Sequence, residues 1–167
     1  MEDLVGRLKR GEAEAWREVI VEHYSTVYRF CARRVGLDAA QDATQEAFIT
    51  IQRKMKSFDE KSSLLTWMMG IAHNHCRNLS RRTRDDVLWL RPEAEVASCE
   101  NEVINQEVLR SALATLSIEH REVILMHEVE GYSYQEVASI LGIPTGTVKS
   151  RLHCAFQNLR DFLGAKA

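Results

Sequence analysis

A chain of 167 residues with 45% hydrophobic and 28% charged side chains has enough apolar content for one medium core or two small ones, which excludes an intrinsically disordered chain. The formal charge of −2 argues against a uniformly basic nucleic-acid binder, but the charge is unevenly spread: cations gather at Arg77 to Arg84 and Lys149 to Arg160, acids at Asp85 to Glu107. No apolar run approaches the roughly 20 residues of a membrane span, and Met1-Glu2-Asp3 opens no basic-then-apolar leader, so a cytoplasmic protein without membrane insertion is expected.

With only two prolines and eight glycines, and with helix-period stretches dominating, the fold class reads as all-α: two small helical domains joined by a flexible linker. The first helix is expected from Glu12 to Val35, with Trp16, Val19, Ile20, Val27, Tyr28, Cys31 and Val35 as its buried stripe and Gly36 as its stop. Asp38 is the expected N-cap of a second helix running to Met55. That helix turns Ala47, Phe48, Ile51 and Met55 inward and Gln41, Asp42, Gln45 and Glu46 outward. Ser57 to Ser63 reads as a polar loop. A third helix follows over Leu64 to Arg82, with Leu64, Met68, Ile71, Ala72, His75 and Leu79 on one face and Asn74, Arg77, Asn78 and Arg81 on the other. These helices make a first domain over 10–82. Residues 83–101 lose periodicity, carry many carboxylates and contain Arg91-Pro92, and read as an acidic linker with one possible helical turn at Val87 to Leu90. A second domain over 102–163 opens with Val103, Val108, Leu109, Leu113 and Leu116, then a short helix from Ile118 to Val129 and two more.

The densest signal lies between Gly131 and Leu152. Ser133 with Glu136 forms a capping box, Ala138 leaves room for a crossing helix, Gly142 suits a left-handed C-cap, Ile143 follows at the turn, and Thr145 or Thr147 can cap the next helix. There Val148, Leu152, Ala155, Leu159 and Phe162 point inward, while Lys149, Ser150, His153 and Gln157 point outward. A helical hairpin with a solvated face would need none of this agreement in register. The pattern is that of a helix-turn-helix whose second helix enters the major groove, with Lys149 and Arg151 suited to phosphates.

The run from Leu113 to Leu163, above all Gly131-Tyr132-Ser133-Tyr134-Gln135-Glu136-Val137-Ala138 and Gly142-Ile143-Pro144-Thr145-Gly146-Thr147-Val148-Lys149-Ser150-Arg151-Leu152-His153, resembles the C-terminal domain of extracytoplasmic-function sigma factors of the sigma-70 family. Asp38 to Phe48 resembles the family's polymerase-docking helix. Leu65-Thr66-Trp67-Met68-Met69-Gly70-Ile71-Ala72-His73-Asn74, with Asn78, Arg81 and Arg82, resembles its minus-ten helix. The resemblance spans about residues 10–163. It implies docking on core RNA polymerase through Asp42, Gln45, Glu46 and Phe48. It implies capture of a flipped minus-ten base by the Phe58 to Ser63 loop and Asn74, with Arg77, Asn78, Arg81 and Arg82 along the strand. It implies reading of the minus-thirty-five duplex by Thr147, Lys149, Ser150, Arg151, His153 and Gln157. Promoter DNA, core polymerase and an anti-sigma factor are the implied partners. Ser117 stands where the family usually has Pro and can cap a helix; His153 and Cys154 stand where larger basic or aromatic residues are common.

Other features carry less. Trp67 reads as core, and the Asp42, Gln45 and Glu46 face would read as merely solvated without the resemblance. His73 and His75 are two apart and diverge on a helix, and Cys31, Cys76, Cys99 and Cys154 form no C-x-x-C pair, so no metal or disulfide framework is expected. No nucleophile, phosphate loop or carboxylate pair stands out, so neither catalysis nor a cofactor is expected. The rival reading is a stand-alone helix-turn-helix regulator that binds duplex DNA as a dimer without polymerase.

Overall fold

In a computed structural model that describes residues 3–83 and 108–164, every regular element is helical. The chain divides into two compact units, Met1–Arg91 and Pro92–Ala167, each with its own core. The linker expected over 83–101 lies outside the described residues except for Thr83, as do Val103, Cys99 and the side chain of Arg82.

The first unit begins with a helix that the periodicity does not reveal. α1, Leu4–Arg10, is capped by Asp3, whose carboxylate accepts from Val5 N (3.1 Å) and Gly6 N (3.0 Å). Seven residues cannot hold a helix alone in water. α1 is held instead by burial of Leu8 and by Arg7, which pairs with Glu12 and with Glu18, both at 3.1 Å. α2 spans Ala13–Val35 and α3 Leu37–Lys54, with a single residue between them. That residue, Gly36, is buried and sits at φ 78°, a conformation closed to other residues without strain. The tight link also moves the start of α3: Asp38 lies in the first turn, where its charge favours the helix dipole, rather than at the expected N-cap position. A 3₁₀ turn, Met55–Ser57, ends α3, and α4 runs Leu64–Thr83.

α2, α3 and α4 pack on one another around Val19, Val27, Phe30 and Cys31, Ala40, Ala43, Ala47 and Ile51, and Met68, Met69, Ala72 and Cys76. Each fully buried large apolar side chain contributes about 1.5–3 kcal/mol. Ile20, expected inward, is 42% exposed. On α4 the buried set is wider than the expected stripe: Thr66, Met69 and His73 join it, while Leu64, His75 and Leu79 are half-buried. α4 touches both α2 and α3 and must bury more than one face.

In the second unit residues 108–114 form α5, with Ala112 and Leu113 buried and Leu109 exposed. Buried Arg121 closes its end, donating from Nε to Leu113 O and from Nη2 to Leu116 O, each at 3.0 Å. α6 is Ile118–Ile124; Ser117 Oγ caps it by accepting from His120 N at 3.3 Å. The chain then continues as a π-helical segment, Leu125–Val129. α7, Tyr134–Leu141, opens on the expected capping box and ends at Gly142 with φ 67°. α8 is Thr145–Gly164. The carbonyl of Pro144 accepts from Thr147 N (2.9 Å) and Val148 N (3.2 Å), which puts Thr145 inside the helix rather than at its cap. α6 and α7 both pack on α8, whose Val148, Leu152 and Ala155 are buried and whose Leu159 and Phe162 are half-buried. No described helix is long and apolar enough to cross a membrane.

Candidate nucleic-acid interface

The outer side of α3 exposes Asp38, Gln41, Asp42, Gln45 and Glu46. Phe48 stands apart from this row. It is half-buried, with its ring 5.9 Å from that of Tyr24, which in turn lies 6.3 Å from Tyr28. Its outer rim is thus part of an aromatic shelf braced on α2.

α4 exposes Asn74, Arg77, Asn78 and Arg81 at three- and four-residue spacing. Between the α3 row and this one lies an open cavity of about 550 Å³ lined by Asp42, Ala43, Gln45, Glu46, His75, Asn78 and Leu79. His75 is anchored there, its Nε2 2.8 Å from Thr50 Oγ1. Burial lowers its pKa, partly offset by Glu46.

Two expected minus-ten contacts lie in a different setting from the one their sequence neighbourhood suggests. Phe58 is 3% exposed, with its ring 5.0 Å from that of Trp67. A ring so covered cannot stack on a base while the loop stays as it is, so Phe58 supports the loop from beneath. Ser63 caps α4: its Oγ accepts from Thr66 N at 3.1 Å and lies 2.8 Å from Thr66 Oγ1. The tip between them is braced from α1 by Lys9–Glu60 (2.9 Å) and carries Asp59–Lys61 (2.8 Å). Glu60 sits at φ 60°. Trp67, expected in the core, is half-buried and covers Phe58.

On α8 Lys149, Ser150, His153 and Gln157 are exposed and fall within about a 100° arc. Thr147 and Arg151 flank the row and are half-buried. Ser150 Oγ donates to Thr147 O at 3.0 Å, which leaves its lone pairs outward. Arg151 leans toward the start of α6. There the carboxyl of Glu119 is held below its ordinary range by its own backbone N–H first, then by Ser117 and the Arg151 charge. The first three turns of α8 therefore present one outward cation, a hydroxyl and an imidazole side by side, and the fourth adds an amide.

Cys31 and Cys76 are buried free thiols and Cys154 is exposed; among the described residues no group of three or more His, Cys, Asp or Glu is placed to hold a metal.

Residues 19–85 match sigma-70 region 2, and residues 106–159 match sigma-70 region 4. The ECF RNA polymerase sigma-E factor of Haemophilus influenzae is 30% identical, covering 95% of this chain and 92% of its own. Among solved structures, CnrH in complex with the cytosolic domain of CnrY shares the fold at 21% identity and a TM-score of 0.69, covering 98% of this chain and 97% of that one. The sigma factor RpoE of Bartonella quintana, solved with the anti-sigma factor NepR, does so at 23% identity and 0.62, covering 93% and 100%. The two matched regions stand in the order the motifs do, and the chain belongs to the extracytoplasmic-function (ECF) sigma factors of the sigma-70 family of RNA polymerase sigma factors.

Proposed function

We propose that the chain recruits core RNA polymerase through α3 and reads promoter DNA through α4 and α8, and that it catalyses nothing itself. On this reading 10–82 is the polymerase-docking and minus-ten domain, 83–101 a linker and 102–163 the minus-thirty-five domain. Asp42, Gln45, Glu46 and the Phe48 rim meet the polymerase. Asn74 reads a base extruded from the minus-ten element, beneath a loop that Phe58 and Ser63 shape. Extrusion costs a few kcal/mol, which stacking and edge hydrogen bonds must recover. An amide, offering donor and acceptor together, suits that edge. Arg77, Asn78, Arg81 and Arg82 follow the single strand, and Thr147, Lys149, Ser150, Arg151, His153 and Gln157 meet the duplex. The work is done in the cytoplasm, and an anti-sigma factor is the expected inhibitor; the Bartonella protein was solved in complex with the anti-sigma factor NepR.

One observation carries the assignment of faces. From Asp38 to Glu46 the exposed row of α3 holds three acids and no cation, Arg53 and Lys54 being exposed only in the helix's last turn, while the exposed row of α4 holds Arg77 and Arg81 and no acid. Phosphates are repelled by the first and attracted by the second. The acidic face is therefore the protein-docking one. Run-off transcription with core polymerase on a promoter library tests the whole. Initiation at a shared promoter sequence, lost when Asp42 and Glu46 are both changed to Lys, is the expected result. Failure to bind core enzyme or to start RNA on any template refutes it.

A further inference from the structure

The helix-turn-helix holds a ring contact that its motif does not require. After the π-helical segment, Glu130 N–H donates to Leu125 O (2.9 Å) and Tyr132 N–H to Met126 O (3.0 Å), folding the loop back on the helix end. His127 is thereby brought beside the loop, its Nδ1 2.8 Å from Tyr132 O. A carbonyl only accepts, so Nδ1 bears the hydrogen. The imidazole then packs against Tyr134, the first residue of α7, with centroids 4.5 Å apart at 35°. Over that phenol ring stands the ammonium of Lys149, 5.8 Å from its centroid. That is inside the roughly 6 Å reach of a cation–π contact. Tyr134, 36% exposed, thus bridges the two helices of the motif.

We propose that Tyr134 is a positioning residue for DNA binding: braced on His127, it holds the Lys149 ammonium beside the start of α7, where the phosphate backbone crosses a docked helix-turn-helix. This rests on Lys149 being a phosphate contact. A lysine side chain is rich in rotamers, and one already restrained over a ring loses less freedom when it meets a phosphate. The strength of such a contact at an exposed site caps that gain at about two- to fivefold in affinity.

A double-mutant cycle on the full chain, assembled with core polymerase on a duplex promoter that the holoenzyme opens, tests the coupling. Promoter affinity is measured across salt concentrations for wild type, Lys149→Ala, Tyr134→Leu and the double variant. Lys149→Ala weakens binding and makes the salt dependence shallower by about one counterion. Tyr134→Leu weakens it about two- to fivefold, adds nothing once Lys149 is gone, and is rescued by Tyr134→Phe, which restores the ring face. Multiplicative losses would show that Tyr134 acts through the fold, and failure of Phe to rescue would show that its hydroxyl touches DNA. Either overturns this inference alone. A Lys149→Ala protein that binds like wild type removes the phosphate contact as well, and the inference with it.

Discussion

Lowering the pH from 7 to 5 weakens the N-terminal unit, and His73 sets most of the effect. His73 is 2% exposed on α4, and its pKa is pushed down to about 3, by burial first and by the Arg34 and Arg77 charges after it. In the unfolded chain an imidazole titrates near 6.5. Between these values the unfolded state binds a proton that the folded state refuses, so stability rises with pH. The contribution is complete above the unfolded value and declines at about 1.4 kcal/mol per pH unit below it. From pH 7 to pH 5 that amounts to about 2 kcal/mol. His75, also lowered by burial, shifts stability in the same direction. The carboxyls of Glu12 and Asp59, held low by Arg10 and Lys61 respectively, lose their contributions only near and below pH 4.5, outside this window. Urea denaturation followed by fluorescence, with Trp16 and Trp67 reporting on this unit, measures the change in wild type and in His73→Phe. The pH-dependent loss shrinks by about 2 kcal/mol in the variant whatever its stability at pH 7. Equal pH slopes in the two proteins would mean that His73 is hydrated or protonated in the folded state, and the argument fails.

Arg121→Met removes two charge-assisted hydrogen bonds to Leu113 O and Leu116 O from a buried site and destabilises the C-terminal unit by about 3 kcal/mol, read as faster amide exchange in α6 and α8 with no change in α2. Ser133→Ala opens the capping box, in which Ser133 Oγ accepts from Glu136 N and Glu136 Oε2 accepts from Ser133 N. It costs about 1 kcal/mol, confined to exchange of the α7 amides. Asn74→Ala leaves affinity for core polymerase unchanged and lowers promoter opening by about 1–3 kcal/mol, the usual worth of an amide on a base edge, measured by permanganate footprinting of the melted strand.

The C-terminal unit is legible in the sequence because its signals are local. Ser133 and Glu136 are three apart, Gly142 marks its own left-handed residue, and each acts within one turn of itself. The features without a local signal depend on partners elsewhere in the chain. α1 has one fully buried residue and stands on Arg7 reaching Glu12 and Glu18. Phe58 sits in a polar run and reads as surface until Trp67 folds over it. The start of α4 at Leu64 is legible, but Ser63 has Thr66, not Glu or Gln, three residues on, so no capping box marks Ser63 as its cap. His73 looks like one of several polar residues on α4; only the simultaneous packing of α2 and α3 buries it. The π-helical segment, and with it the meeting of His127 and Tyr134, has no periodic signature at all.

The charge on α8 explains why such a reader needs a larger partner. Along its outer side stands Lys149, with half-buried Arg151 at the flank and Arg160 two and a half turns on, next to Asp161. Each phosphate neutralised adds about −0.9 to the salt slope, so two or three cations give a slope of about −2 to −3. Sequence-tolerant binding on that scale is feeble at physiological salt. On the proposed reading the remaining outward groups, Ser150, His153 and Gln157, are the ones to hydrogen-bond to base edges, which discriminates without adding long-range attraction. A surface built this way chooses well and holds poorly. It becomes effective when another body supplies the grip, and the acidic Asp38 to Glu46 stretch of α3 is where the proposed docking on polymerase would provide it.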